Sequence, residues 1–497
     1  MELINEWTRT LRYRPYQNWP SDYYQQLKNT VQQSSWRLNY HIQPPTGLLN
    51  DPNGFSYFNG KWHLFYQHYP FGPVHGLKSW FHLTSENLVD WKEEGIALWP
   101  DTKYDSHGVY SGTALAINDQ LFLAYTGNVR DNNWERHPYQ LGAWMDKNNT
   151  IKKIDKPLIS SIPEGFTDHF RDPQLLTFND TYFIIIGGQT KTEKGKVLVY
   201  QSEDLVDWQL KGSLTFGQDD LGYMVECPNL VFIDQQPVLL FCPQGLRQDT
   251  LSYQNIYPNT YIIGSDFDLK NLDLKDVKSL KNLDEGFDVY ATQAFNAPDG
   301  RVLAISWVGL PEIDYPSDEE GWAHCLSLVK ELSLKNNKLY QKPASEYQTL
   351  RNHLQEKKGS LTQATKLFSP SKNCYELDLT IDATSKGSLQ LFSDSKQNYS
   401  LTLHFDTING KLILDRGKLH LPFAQDYGTT RKLDLEKNKS LHLQIFVDAS
   451  ICEIFINDGA QTMTSRVFPK AETDLFLSGT SGKFQAKFWP LRSAKIS

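Results

Sequence analysis

Residues Phe55–Gln67 read FSYFNGKWHLFYQ, two short apolar runs on either side of the dipeptide Asn59-Gly60. Asn-Gly adopts the left-handed conformations that a two-residue hairpin turn demands, so this stretch is predicted to be a β-hairpin. The plan recurs four times. TALAI leads through Asn118-Asp119 to LFLAYTG from Leu121, and QLLTF leads through Asn179-Asp180 to YFIIIGG from Tyr182. NLVFI leads through Asp234–Pro237 to VLLFCP from Val238, and TQAF leads through Asp299-Gly300 to VLAISWVG from Val302. The second arms start about sixty residues apart, a fixed period of the kind that marks radial or stacked repeats. SENLVDW at Ser85–Trp91 returns as SEDLVDW at Ser202–Trp208, about two periods later. The predicted fold is all-β, a five-bladed β-propeller over residues 37–340.

Outside the repeat the pattern changes. Residues 1–36 read as an extension with a short helix over Ser21–Ser34, and residues 341–371 read as a polar linker with a second short helix near Ser345–Lys357. From Lys372 the chain alternates apolar and polar residues in YELDLTID, YSLTLHF, LHLQIFVD and CEIFIND, broken by tight turns at Asn409-Gly410 and Asn457–Gly459. Residues 372–497 are therefore expected to form a β-sandwich.

Composition narrows the function. The 497 residues are 39% hydrophobic and 22% charged, a globular balance, and the net charge of −8 lacks the basic footprint of a nucleic-acid binder. The five cysteines are an unclustered, odd set without a CxxC pair, which argues against a disulfide framework or a zinc site. The thirteen histidines show no HxH or HExxH spacing, so neither metal nor other cofactor is expected. No apolar leader or membrane-length run is present, and a cytoplasmic protein with no membrane partner is expected. Aromatic residues reach 13%, which strand packing alone accounts for.

The carboxylates fall at one place in the repeat. Asp51 lies in Asn50–Gly54 (NDPNG), Asp172 in Arg171–Gln174 (RDPQ) and Glu226 in Glu226–Asn229 (ECPN). The corresponding positions of the second and fifth units are YSGT from Tyr110 and DVYATQ from Asp288. In a propeller the innermost strands line the axial channel, so these three acids would meet at one mouth of it. Crowded carboxylates raise at least one pKa, and a raised-pKa acid beside an ionised one is the pairing that glycoside hydrolysis requires.

LLNDPNG (Leu48–Gly54), FRDP (Phe170–Pro173) and Glu226-Cys227, in that order, resemble the signature blocks of the glycoside hydrolase family of invertases and β-fructofuranosidases. The resemblance extends through VYSGTA (Val109–Ala114) to LHLQIFVDASICEIFINDG (Leu441–Gly459). It implies a retaining mechanism with Asp51 as nucleophile, Glu226 as acid/base and Asp172 holding fructose hydroxyls and steadying the transition state. It also implies sugar contacts from Asn50, Gln67, Ser111 and Arg171, with Tyr110, Trp80 and Trp307 as further substrate-binding candidates. Tyr110 stands where many relatives have Trp, and Val329-Lys330 where many have Pro-Arg. Within the family the chain looks most like the bacterial hydrolases of sucrose 6-phosphate, which makes a small sugar or sugar phosphate the expected partner. His75, Lys78, Arg130, Arg136 and His137, in two rim segments rich in cations and aromatics, are candidates for binding the phosphate. Fructan hydrolysis or fructosyl transfer, inverting cleavage of arabinans or xylosides, and non-catalytic sugar binding are the competing readings. The oligomeric state is not legible.

Overall fold

The structure is a computed structural model, and it describes residues 3–361 and 364–496. The chain is built almost entirely of antiparallel strands. The first hairpin spans Gly47–Phe58 and Lys61–Tyr69, and its turn residues Asn59 and Gly60 take φ of 48° and 78°. Ser79–Ser85 and Trp91–Leu98 complete that sheet, with Trp322–Ala323 pairing in parallel along its first strand.

Four more sheets repeat the order of a long hairpin followed by shorter outer strands. Their hairpins are Val109–Ile117 with Gln120–Arg130, Phe166–Phe178 with Thr181–Thr190, Met224–Ile233 with Gln236–Gln244, and Val289–Asn296 with Val302–Val308. The repeated heptapeptide is a repeated turn. Leu88 and Leu205 take φ of 62° and 65°, and the Trp91 and Trp208 indoles donate to the carbonyls of Leu88 and Leu205 at 3.1 and 3.2 Å. Each of these turns leads from the third strand of its sheet to the fourth.

The opening strands of the five sheets lie against one another in cyclic order, and the fifth returns to the first. One buried polar side chain per strand fastens this ring. Asn53 accepts from the Gly112 amide at 3.0 Å, and Thr113 accepts from the Leu175 amide at 2.8 Å. Gln174 accepts from the Leu230 amide and donates to its carbonyl, and Asn229 accepts from the Ala294 amide. Gln293 closes the circle by accepting from the Phe55 amide at 2.7 Å and donating to the Gly112 carbonyl at 2.9 Å. Backbone groups that face the interior across sheet boundaries would otherwise be unpaired, which is why polar residues recur here.

Two six-stranded sheets follow. Cys374–Ile381 sits centrally in one, between Leu441–Asp448 and Lys483–Pro490; Lys386–Ser393 sits in the other, between Ser400–Asp406 and Asp474–Gly479. Leu377, Leu379 and Ile381 of the first share one core with Leu389, Leu401 and Leu403 of the second. Ion pairs bind these sheets to the rest. His41 bridges Asp448 and Glu453 at 3.0 Å each, Lys330 reaches Glu453 at 3.2 Å, and Arg416 reaches Asp288 at 3.2 Å. Lys330, where many relatives carry Arg, thus belongs to this junction.

Two segments differ from expectation. The stretch from 341 to 371 carries a 3-10 turn at Ser345–Leu350, but then contributes Gln355–Ser360 and Thr365–Phe368 as edge strands of the two six-stranded sheets. Gln355–Ser360 is exposed throughout and is held mainly by backbone pairing, so it carries no apolar alternation to read. The N-terminal helix spans Ser21–Gln32, with Tyr23, Leu27 and Val31 buried at helical spacing. A short additional helix, Arg9–Arg12, is capped by the Thr8 hydroxyl. No described helix is long and apolar enough to cross a membrane.

Candidate active site

Every one of the five opening strands breaks register at the same point. The interruptions fall at Asn50-Asp51, Tyr110-Ser111, Asp172-Pro173, Cys227-Pro228 and Ala291-Thr292. A bulge leaves residues unpaired and re-aims their side chains. Asp172, Cys227 and Ala291 take φ of 68°, 49° and 47°, left-handed values that cost a non-glycine residue energy and concentrate at functional sites. Counting back from the ring of polar locks, Asp51, Ser111, Asp172, Cys227 and Ala291 occupy equivalent positions. Asn50, Tyr110, Arg171, Glu226 and Tyr290 precede them by one. Glu226 is therefore one step out of phase with the other two acids, and it sits beside the cation that precedes Asp172.

The acids converge. Oxygens of Asp51 and Asp172 and the sulfur of Cys227 lie within 4.8 Å of one another. Asp51 Oδ2 accepts from Ser111 Oγ at 2.5 Å, and Oδ1 accepts from Asn50 Nδ2 at 3.0 Å. Gln67 Nε2 donates to Ser111 Oγ at 2.5 Å and reaches Asp51 Oδ2 at 3.5 Å, while its Oε1 accepts from Asn50 at 3.1 Å. Burial raises the Asp51 pKa; the Ser111 hydrogen bond opposes this, the charge of Glu226 adds to it, and that of Lys78 opposes it.

Asp172 is held from its own backbone, the amide donating to Thr126 Oγ1 at 3.1 Å, and its Oδ2 accepts from the Cys227 amide at 3.0 Å. Burial pushes its pKa up to about 7 despite the adjacent Arg171, and Glu226 and Asp51 contribute in the same direction. Glu226 is gripped on both oxygens. Arg171 donates to Oε1 from Nε at 3.0 Å and from a terminal nitrogen at 2.7 Å; Gln244 and Tyr290 donate to Oε2 at 2.8 and 2.7 Å. The third and fourth sheets approach closely here, and a β-carbon at Gly187 would lie 2.0 Å from the Val225 carbonyl oxygen. The pocket thus holds a buried Asp172 and a part-exposed Asp51, both of raised pKa, beside a part-exposed Glu226 fixed by an arginine. Such a set can exchange a proton, attack an electrophilic carbon and steady positive charge.

A family model described as the glycosyl hydrolases family 32 N-terminal domain matches residues 41–343, and its C-terminal counterpart matches residues 338–490. The chain belongs to glycosyl hydrolase family 32.

Relatives in family 32 match almost end to end. The sucrose-6-phosphate hydrolase of Pediococcus pentosaceus is 50% identical over 490 residues, 98% of this chain and 97% of the relative. The solved sucrose-6-phosphate hydrolase of Lactobacillus gasseri superposes with a TM-score of 0.93 at 46% identity, covering 98% of this chain and all of that one. A mutant of a Bombyx mori family 32 beta-fructofuranosidase, solved in complex with sucrose, superposes with a TM-score of 0.82 at 31% identity, covering 96% and 98%. Membership makes this protein a glycoside hydrolase.

Against that family 32 frame, the sequence-derived candidates separate. Asn50, Gln67, Ser111 and Arg171 all contact an acid directly. Trp80 does not serve as a sugar platform: it is fully buried between Phe65 and Tyr125, and its indole donates to the Tyr110 carbonyl. Its large ring fills the space between two sheets. Trp307 is 2% exposed and packs against Tyr290 and His324 with no open face, although its Nε1 is unpartnered. Lys78 is not at the rim. It is buried, donates to Asn50 Oδ1 and lies 3.0 Å from His75 Nδ1, and burial pulls its pKa down to about 7 against the pull of Asp51. His137 is paired with Asp131 on an exposed hairpin tip. Tyr290, Gln244, Thr126 and the polar ring were not singled out from the sequence; for the ring, its recurrence one or two residues after each bulge was the available signal.

Proposed function

We propose that this protein is a retaining β-fructofuranosidase that hydrolyses sucrose 6-phosphate and, less efficiently, sucrose, on a five-bladed propeller of residues 37–340 braced by the sandwich. The reading is carried by one observation, the convergence of Asp51, Asp172 and Glu226 from three separate sheets onto one pocket. In this mechanism Asp51 attacks the anomeric C2 of the fructosyl unit while Glu226 protonates the departing glucosyl oxygen. Glu226 then takes a proton from the water that releases fructose. Hydrogen bonds from Ser111 and Asn50 aim the Asp51 carboxylate, so little reorganisation accompanies attack. Asp172 binds fructose hydroxyls and faces the positive charge that develops at C2. Arg171 holds Glu226 in place, and Tyr290 and Gln244 fix the rotation of its carboxyl group.

Sequence identity of 50% to a sucrose-6-phosphate hydrolase over nearly full length supports the phosphorylated substrate. A sugar phosphate is confined by its charge to the compartment that makes it, and all five cysteines are free, which supports a cytoplasmic enzyme. The test is product analysis with both substrates. Sucrose 6-phosphate should give fructose with the higher kcat/KM, and NMR of the first-formed fructose should show retained configuration. Asp51→Asn and Glu226→Gln should abolish turnover. An inverted first product, or an active Asp51→Asn enzyme, would overturn the mechanism; equal kcat/KM for the two sugars would overturn the substrate.

A further inference from the structure

The hairpin Gln120–Arg130 with Arg136–Met145 pairs through to its last residues, so Arg130 and Arg136 stand directly opposite each other. Like charges so placed are destabilising in a bare sheet. Among the described residues, no carboxylate lies within hydrogen-bonding reach of either guanidinium. Arg130 Nε, Arg136 Nε and one terminal nitrogen of Arg136 are shut off from solvent without a hydrogen-bond partner, although nearly all buried donors in proteins are paired. The acid nearest Arg136 is the part-exposed Asp168, 3.9 Å away and beyond hydrogen-bonding reach. The Arg130 guanidinium donates to the Trp134 carbonyl at 3.0 Å. Arg136 also feels the charge of Arg171, the residue that grips Glu226, so this cationic corner adjoins the group that protonates the departing glucosyl oxygen.

A third wall comes from outside the family 32 match, which begins at residue 41. The N-terminal segment is pinned by the Arg12 carbonyl, which accepts from the Leu77 amide at 2.8 Å, and by the Leu11 carbonyl, which accepts from the Tyr69 hydroxyl at 3.1 Å. This lays Tyr13 edge-on against Trp134, with ring centroids 5.0 Å apart, and its phenol faces Tyr110, Arg130 and Arg136. The cavity beside His75 suits an anion less well, because Glu312, Asp314 and Asp318 line it along with Arg12.

We propose that Arg130 and Arg136, completed by Tyr13 of the N-terminal segment, form the subsite that binds the 6-phosphate on the glucosyl half of the substrate. A phosphate dianion relieves the repulsion between these two part-exposed arginines, and a guanidinium fork suits it geometrically. The inference rests on the phosphorylated substrate proposed above. It makes the N-terminal segment a specificity element.

The experiment measures kcat/KM for sucrose 6-phosphate and for sucrose on the wild type and on Arg130→Gln, Arg136→Gln, Arg136→Lys and Tyr13→Phe. Both sugars are assayed on one preparation, so any loss of folded enzyme cancels from their ratio. Losing one charge-assisted contact corresponds to about a ten- to hundredfold change, so each Gln variant should lower the ratio by that factor. Arg136→Lys should recover part of it, Tyr13→Phe should lower it less, and inhibition by glucose 6-phosphate should weaken in parallel. A wild-type preference that survives both Gln variants within twofold overturns the subsite alone. A wild type without preference overturns the phosphorylated substrate, and the subsite with it.

Discussion

Ser111→Ala isolates the part of the mechanism that keeps the nucleophile ionised. In the wild type, Ser111 Oγ donates to Asp51 Oδ2 at 2.5 Å; without it that oxygen retains only Gln67 at 3.5 Å and the Cys227 thiol at 3.7 Å. A hydrogen bond to a charged group is worth about 1.5–3 kcal/mol, and here it favours the carboxylate over the acid. Burial already raises the Asp51 pKa, so its removal raises it further and moves the acid limb of the pH profile of kcat/KM towards neutrality. Below that limb only the ionised fraction turns over, and the variant should run about ten- to hundredfold slower than wild type. On the plateau Asp51 is ionised in both enzymes, and the gap should narrow to whatever aim the hydroxyl contributes. The assay is initial rate at subsaturating sucrose across the pH range in a constant-ionic-strength buffer. Two profiles of identical shape offset by a constant factor would refute the reasoning, because they would make Ser111 a sugar contact with no hold on Asp51 ionisation.

Gln293→Leu should leave the Phe55 amide and the Gly112 carbonyl unpaired inside the ring of opening strands, at a cost of about 2–6 kcal/mol. An unmoved urea midpoint would show that the ring does not depend on this lock. Trp80→Phe should lower the thermal midpoint while KM for sucrose stays put, since the indole fills a sheet junction and bonds the Tyr110 carbonyl. A raised KM at an unchanged midpoint would instead restore it as a sugar contact. The His41 junction should be pH-sensitive on both sides. Burial lowers the His41 pKa, but the hydrogen bonds and charges of Asp448 and Glu453 more than offset it, so its contribution is complete below about 6.5 and fades as pH rises through the folded-state value. Burial raises Asp448 and Glu453, but His41 and, for Glu453, Lys330 bring them below their ordinary values, so their contribution is complete above about 4.5 and fades as pH falls. The stability difference between wild type and His41→Gln should therefore peak between these limits, and a difference independent of pH would contradict the ion-pair account.

The hairpins of this protein were legible because their causes are local. Asn59-Gly60, Asn118-Asp119 and Asn179-Asp180 specify a turn within a few residues of chain, and alternating apolar residues specify which face is covered. A period of about sixty residues then locates Asp51, Asp172 and Glu226 in comparable settings without any coordinates. Other features depend on contacts between residues about fifteen to more than a hundred positions apart. Trp80 in a sequence looks the same whether it faces a sugar or Phe65, and Lys78 looks like any surface lysine until Asn50 is found against its ammonium group. The edge strand Gln355–Ser360 has no pattern of its own because its partner, Lys483–Pro490, supplies the reason for it to be extended. Periodicity and turn chemistry act along the chain, and they determined by themselves the strands and the neighbourhood of the acids. Burial, charge and hydrogen-bond partnership act through space, so only the folded molecule decided which oxygen each donor holds, how far each carboxylate is from its ordinary pKa, and which cations were left without a partner.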